Sequence, residues 1–268
     1  MIRSSPGSRA RSLVLALLLS AATAHAAEAP KPKFGPHAIS IQTSHDYLRS
    51  HDAPDYWALS PFYVPQVTGS ACALATIVTV LNALIGLPPL GTDTLVSQQS
   101  LLQAVGSADL AAKTAEKGEG VTFDEFMTYL AKSLDAYKLS ADIEVLKPAD
   151  ASAQTLARVR ALLADNERSG DDFVMVYYNQ GVVTGDWDGP HLSPIGAYDA
   201  AQKRVLIMDV DREFYIPYWT EDETLLAAML RPAPPALGAL AGETGGLVRV
   251  TLRAGARDAL RARARPPQ

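Results

Sequence analysis

The sequence predicts an α+β fold, with a helical half followed by an antiparallel β-sheet half. Three observations carry this. Residues 72–84 are almost wholly apolar, too long a run for a strand, and stopped by Gly86 and Pro88. Thr122-Phe123-Asp124-Glu125 has capping-box spacing ahead of Phe126, Met127, Leu130 and Leu134, which share one helical face. From Asp172 onward, short runs of β-branched and aromatic residues alternate with turn residues, as in a meander.

The chain opens on Arg3, Arg9 and Arg11, an uncharged apolar run over 13–19, and Ala24-His25-Ala26, which fits the small-x-small rule. This predicts a signal peptide over residues 1–26, cut after Ala26, and export, in a bacterium to the periplasm. The apolar run is too short to span a bilayer permanently, though an uncleaved anchor is the alternative; no other segment suits a membrane. Residues 27–36 read as a linker. Of 24 basic residues three leave with the leader, so 21 face 29 acidic ones, a formal charge of −8. That favours solubility and argues against nucleic acid or an anionic membrane as partner. The single cysteine excludes a disulfide scaffold. Residues 37–253 are long enough for one domain with a single core, or at most a two-lobed one.

Within that domain, Gly69 and Ser70 precede the apolar helix. Ser70 is the expected N-cap, which puts Cys72 in the first turn. A second amphipathic helix is expected over 94–105, a third after Thr122, and a fourth over 153–163, opened by Ser152. Strands are expected over 143–146, 172–178, 191–198, 204–210 and 247–252, with 199–203 as a turn and 232–246 as a Pro/Ala/Gly-rich loop. Residues 254–268 carry Arg257, Arg261, Arg263 and Arg265 and end in prolines. They read as a disordered, solvated tail; a binding arm is the alternative.

A thiol attacks as its thiolate, which a helix N-terminus and a nearby imidazole both favour. Cys72 has the first of these in this reading. His37, His45 and His51 precede the helix, without a cysteine or a tight histidine pair; a solvated segment is preferred to a metal site. His191 stands at the mouth of a strand, where a scaffold can present a side chain to a cleft. Asp209 ends the next strand, and a hairpin can bring it beside His191 to orient the imidazole. On the residues alone, Cys72 as an inert core thiol, His191 as structural and Asp209 as a turn residue stay open.

Gln66 precedes Cys72 by six residues. The order Gln66, Cys72, His191, Asp209, helical half first, is similar to that of papain-type cysteine peptidases, whose oxyanion-stabilising glutamine has the same offset. Ala73-Leu74 stand where papain has an aromatic residue, so the chain resembles a divergent member.

Over residues 60–230 the sequence also resembles the catalytic domain of the phytochelatin synthase family. Ser60-Pro61-Phe62-Tyr63-Val64-Pro65-Gln66 leading to Cys72 is similar to that family's nucleophile segment, and Gly120-Val121-Thr122-Phe123 to its middle motif. The most specific match is His191-Leu192-Ser193-Pro194-Ile195-Gly196-Ala197-Tyr198, followed by Val205-Leu206-Ile207-Met208-Asp209-Val210, with Arg212, Tyr215, Pro217 and Trp219 at the family's spacing. Pro190 stands where the family usually has glycine, and Gln180 where it commonly has arginine. The cysteine-rich C-terminal region of the plant enzymes has no counterpart in this sequence.

The resemblance implies a papain-like fold and glutathione as the small-molecule substrate. It implies Cys72 as nucleophile, His191 as general base and then acid, Asp209 as the group orienting His191, and Gln66 as an oxyanion-hole donor. Arg212 and Tyr215 would lie near the substrate. The implied reaction moves the γ-glutamylcysteinyl group of glutathione to water, mainly, or to a second glutathione. No tightly bound cofactor and no protein metal site are implied; cadmium or zinc would enter as a metal–glutathione thiolate. Two other readings stay open: a papain-like peptidase or amidase acting on another peptide, and a non-catalytic thiol- or metal-binding protein. The oligomeric state is open, a homodimer being one option.

Overall fold

The computed structural model describes residues 34–35, 37–86 and 95–256, all in one unit of the chain. The expected signal peptide, residues 27–33 of the expected linker and the tail from 257 lie outside the described residues. Phe34, inside the expected linker, instead packs edge-on against Tyr215 and Tyr218.

In chain order, β1 (Ile39–Ser40), α1 (Asp46–Ser50), α2 (Pro54–Leu59) and a 3-10 turn (Ser60–Phe62) precede α3 (Cys72–Ile85). Next come α4 (Gln98–Val105), α5 (Ala108–Lys113), α6 (Phe123–Ala136), β2 (Ala141–Leu146) and α7 (Ala153–Asn166). The remainder is β3 (Asp172–Asn179), α8 (Gln180–Thr184), β4 (Pro190–Asp199), β5 (Arg204–Ile207), β6 (Tyr218–Glu221), α9 (Asp222–Leu230), a 3-10 segment (Pro235–Leu240) and β7 (Gly246–Leu252). This is the expected α+β class, consistent with the papain-like fold.

Local chemistry explains the helix starts. Thr122 and Glu125 close a capping box on α6, and Ser152 caps α7. Ser97 caps α4 by accepting from the Ser100 N–H, so that helix begins at Gln98 and not at the expected 94; Thr94 itself lies outside the described residues. α3 is buried nearly all round and stops at Gly86, whose φ of +85° suits a residue without Cβ. Its N-cap is Ala71, with no side-chain cap bond. The expected cap, Ser70, instead donates to the Gly118 carbonyl at 2.6 Å, which ties the helix start to the α5–α6 connection.

The strands form one antiparallel sheet in the order β1-β6-β5-β4-β3-β7-β2. β3 is buried along its whole length. Phe173, Met175 and Tyr177 join a core with α3, α4 and α6, while Val174, Val176 and Tyr178 join one with α7 and α9. Helices therefore cover both faces, which is why this strand reads as a continuous apolar run. The strand expected over 204–210 ends at Ile207, beyond a register shift between Ile195 and Ala197. From there Met208 N–H donates to the Pro194 carbonyl, and Val210 gives its carbonyl to Gln66 N–H and its N–H to the Ser193 hydroxyl. The chain thus leaves the sheet at the position of Asp209.

A second acidic group is buried far from water. Asp55 on α2 is fully buried, and its carboxyl oxygens lack hydrogen-bond partners. The nearby Asn166 amide is committed to Asp172. Burial, then the charges of Asp172 and Glu167, push the Asp55 pKa up to about 9. The folded protein therefore holds a proton here that the unfolded chain releases near its ordinary value of 3.8, and stability is lost as pH rises toward 9. Asp55→Asn should raise the thermal midpoint over wild type by an amount that grows from near zero at about pH 4 to its maximum at about pH 9. Paired melting curves check this, and a gap that does not change with pH would contradict it.

Candidate active site

Cys72 is the first residue of α3 and is partly exposed. Because Ala71 offers no side chain to the first-turn N–H groups, the positive end of a 14-residue helix is left to the thiol. One turn along, the Thr76 hydroxyl donates to the Leu192 carbonyl at 3.0 Å. This bond fixes α3 against β4 beside His191, so the thiol and the imidazole are placed by the same contact. His191 Nε2 lies 2.8 Å from Asp209 Oδ1. Nδ1 is then the nitrogen left for Cys72, which lines one cavity with His191.

His191 and Asp209 are both buried. Burial alone would push the His191 pKa down, but the Asp209 charge and hydrogen bond, aided by Cys72, outweigh it and hold it well above the ordinary value. For Asp209, burial works upward, and the His191 charge and the hydrogen bonds from His191, Asp211 N–H and Tyr218 bring its pKa below the usual carboxylate value. An imidazole stabilised as its cation at this position can take a proton from a nucleophile and later give it to a leaving group.

Gln66 is held from two sides. Its N–H donates to the Val210 carbonyl at 2.9 Å, just past Asp209. From α4 the Gln98 amide donates to Pro65 O at 2.8 Å and accepts from Val67 N–H at 3.3 Å. Gln66 therefore shares one frame with the other three residues. It lines a cavity of 540 Å³ together with Thr68, Glu116, Gln180, Trp187, His191 and Tyr215. A second cavity, of 380 Å³, contains Cys72, Ser70, Glu119, Tyr177 and Leu237, and again Trp187 and His191. Gly69, Trp187 and His191 line both, so the two cavities meet along these residues. Gly189 makes room for the indole, since a Cβ there would sit 2.4 Å from Trp187 Cζ2. The Pro/Ala/Gly-rich loop expected over 232–246 supplies part of the second cavity through its 3-10 segment.

Gln66, Cys72, His191 and Asp209 thus come together. Tyr215 lines the first cavity, its hydroxyl donating to Asp186 at 2.8 Å. Arg212 lies outside the lining of both cavities, its guanidinium 4.9 Å from the centre of the Tyr63 ring. Pro190 opens β4, the strand position at which a missing N–H costs least. Gln180 does not point a free amide at the cavity; its Nε2 donates to Asp209. His37, His45 and His51 stay apart from the site. His51 stacks on Tyr47, and among the described residues no three His, Cys, Asp or Glu side chains are grouped to hold a metal ion. The sequence reading missed Trp187, Glu116, Tyr178 and Tyr218. Period-2 alternation along β3, which sends Tyr177 toward Cys72 and Tyr178 toward Asp209, was the available signal for Tyr178.

The phytochelatin synthase family model matches residues 39–234, which contain Gln66, Cys72, His191 and Asp209. Glutathione gamma-glutamylcysteinyltransferase 3 of Lotus japonicus is 29% identical over 189 residues, covering 65% of this chain and 34% of that protein. The chain spans about a third of the length of that relative.

Because Cys72 is the sole thiol, its reactivity is readable without ambiguity. Iodoacetamide alkylation followed by intact mass should slow by about tenfold or more at pH 6 in His191→Ala, which leaves only the helix terminus to favour the thiolate. Equal rates in the two proteins would separate Cys72 from His191.

Proposed function

The chain belongs to the phytochelatin synthase family, and from that premise we propose that it is an acyl-transfer enzyme that cleaves the Cys–Gly bond of glutathione on Cys72. One observation carries the reading above the others: a thiol at a helix N-terminus shares a cavity with an imidazole whose Nε2 is bound to a buried carboxylate. The Cys72 thiolate attacks the scissile carbonyl carbon. The resulting oxyanion is met by Gln66 and the Cys72 backbone N–H. His191 gives its proton to the departing glycine nitrogen as the C–N bond breaks, leaving a γ-glutamylcysteinyl thioester on Cys72. His191 then takes a proton from water or from the amino group of an incoming glutathione, whose attack on the thioester carbonyl forms the acid or the new peptide bond as the C–S bond breaks and the Cys72 thiolate is released.

The second cavity, which holds Cys72, suits the acyl part, and the first, which holds Gln66, suits the leaving group and then the acceptor. Hydrolysis to γ-glutamylcysteine dominates in this reading, with phytochelatin synthesis secondary. Glu116, Asp186, Asp211 and Glu213 line the first cavity, and no lysine or arginine does among the described residues. A second glutathione is anionic and enters such a cavity less readily than water. Cadmium or zinc acts as a glutathione thiolate complex, a substrate form and not a resident ion. Export to the periplasm, with cleavage after Ala26, belongs to the same proposal.

The acidic lining also favours a second reading, a peptidase or amidase whose leaving group carries no free carboxylate. Glutathione and its C-terminal amide separate the two readings: faster release from the amide supports the second, faster release from glutathione the first.

Intact mass after incubation with glutathione tests the chemistry. The expected adduct is of γ-glutamylcysteinyl size, lacks glycine, resists reductant and is absent from Cys72→Ser. A whole-glutathione adduct that reductant removes is a mixed disulfide and counts against acyl transfer. Cys72→Ser should release no glycine while keeping its circular dichroism; wild-type turnover in that variant would refute the mechanism.

A further inference from the structure

We infer that Gln180 and Tyr218 are positioning residues that hold the Asp209 carboxylate as an anion with one oxygen turned to His191. The inference rests on the reading of Cys72, His191 and Asp209 given above, and adds two residues to it.

The two oxygens of Asp209 have different company. Oδ1 receives His191 Nε2 at 2.8 Å and the Asp211 N–H at 2.9 Å. Oδ2 receives Gln180 Nε2 at 2.8 Å and the Tyr218 hydroxyl at 2.8 Å. The Tyr178 hydroxyl lies 3.4 Å from Oδ2 and 2.6 Å from the Tyr218 hydroxyl. Tyr218 has one proton and gives it to Asp209, so Tyr178 is the donor in the tyrosine pair. The result is a directed chain, Tyr178 to Tyr218 to Asp209, reinforced by Gln180. These donors come from β3, β6 and α8, and they converge where the chain has just left β5.

Two consequences follow from elementary chemistry. The terminal torsion of an aspartate is soft, so a carboxylate with donors on one oxygen only can rock about that bond and loosen its contact with the imidazole. Donors on Oδ2 prevent that. A buried carboxylate beside a buried imidazole can also exist as a neutral pair, with the proton on oxygen and both desolvation penalties avoided. Donors to the carboxylate favour the ionic form. Gln180 and Tyr218 do so without bringing a positive charge, so the anion is left for the imidazolium to neutralise. The three donors to Oδ2, Gln180, Tyr218 and Tyr178, are buried.

The groups that face His191 are Cys72 from α3, Asp209, and the Tyr178 ring edge-on at 5.9 Å from β3. Glu116, Asp186, Asp211 and Glu213 in one cavity and Glu119 in the other add negative charge around it. Those carboxylates are untouched in the variants that test the idea.

Gln180→Met and Tyr218→Phe each remove one donor at nearly constant volume. The His191 imidazole titration is followed by NMR, with His191→Gln assigning the signal and circular dichroism confirming the fold. Its midpoint should fall by about one pH unit in each single variant, a tenfold change in proton affinity, and further in the double variant. Alkylation of Cys72 at pH 6 should slow in parallel, by about tenfold per variant. Asp209→Asn sets the limit for complete loss. A merely structural role lowers the thermal midpoint and leaves the His191 titration in place. An unchanged or raised midpoint in folded Gln180→Met and Tyr218→Phe overturns the inference, and if one of them does not fold the other decides. Neither measurement uses a peptide substrate. Failure of the glutathione reading is thus a separate result, and failure of His191→Ala to slow alkylation is a third.

Discussion

Asp209 is fully buried, and an ion in that position must be matched on its lone pairs or be protonated. The architecture follows from that requirement. A register shift in β4 and the end of β5 at Ile207 release the chain from the sheet just ahead of the carboxylate. Tyr63, whose hydroxyl donates to the Asp209 carbonyl, and Gln66, whose N–H donates to Val210, then clamp that segment to the stretch leading into α3. The thiol, the imidazole and the carboxylate come from parts of the sequence far apart, yet each is held by backbone contacts to the next. Thr76 to Leu192, Gln66 to Val210 and Met208 to Pro194 form a closed circuit around the site.

This circuit makes the centre stiff, while the space around it is open and divided. The cavity that holds Cys72 is lined in part by the 3-10 segment Pro235–Leu240, and the other has an acidic rim. Under the proposed reaction, what these rims accept decides which peptide enters, and charge is the discriminating property. A neutral or cationic leaving group meets attraction where an anionic one meets repulsion. The family relationship and the local electrostatics therefore bear on different parts of the function: the first on the bond broken, the second on which molecule presents it.

Much of this was legible in the sequence, for identifiable reasons. Cys72 could be placed at a helix start because Gly86 marks the far end of an unbroken apolar run. His191 and Asp209 could be paired because a hairpin brings successive strand ends together. The capping residues Thr122 and Ser152 were readable because a cap is a contact between near neighbours in sequence. Ser70 misled for the same reason: it is a good cap locally, but Gly118 offers it a better partner from a distant part of the chain. The partners of Oδ2 were not legible. Gln180 and Tyr218 meet Asp209 only once β3 and β6 flank the β4–β5 pair, and β6 itself is only four residues long. Arg212 shows the opposite case: its spacing matches that of the family, yet it lies over Tyr63 and outside both cavity walls.

The seat that Gly189 provides for Trp187 has an optical consequence. The protein has three tryptophans in three environments. Trp219 is fully buried, bonded to Ser44 and covered by Arg204, while Trp57 is 58% exposed beside Tyr56. Trp187, 43% exposed, is the indole that lines both cavities. Its emission depends on the polarity and mobility of whatever fills the space on either side, whereas Trp219 supplies a constant blue background and Trp57 a constant red one. The lining shared by the two cavities thus holds an intrinsic fluorophore, and occupancy of the site is written into the protein's own spectrum without a label.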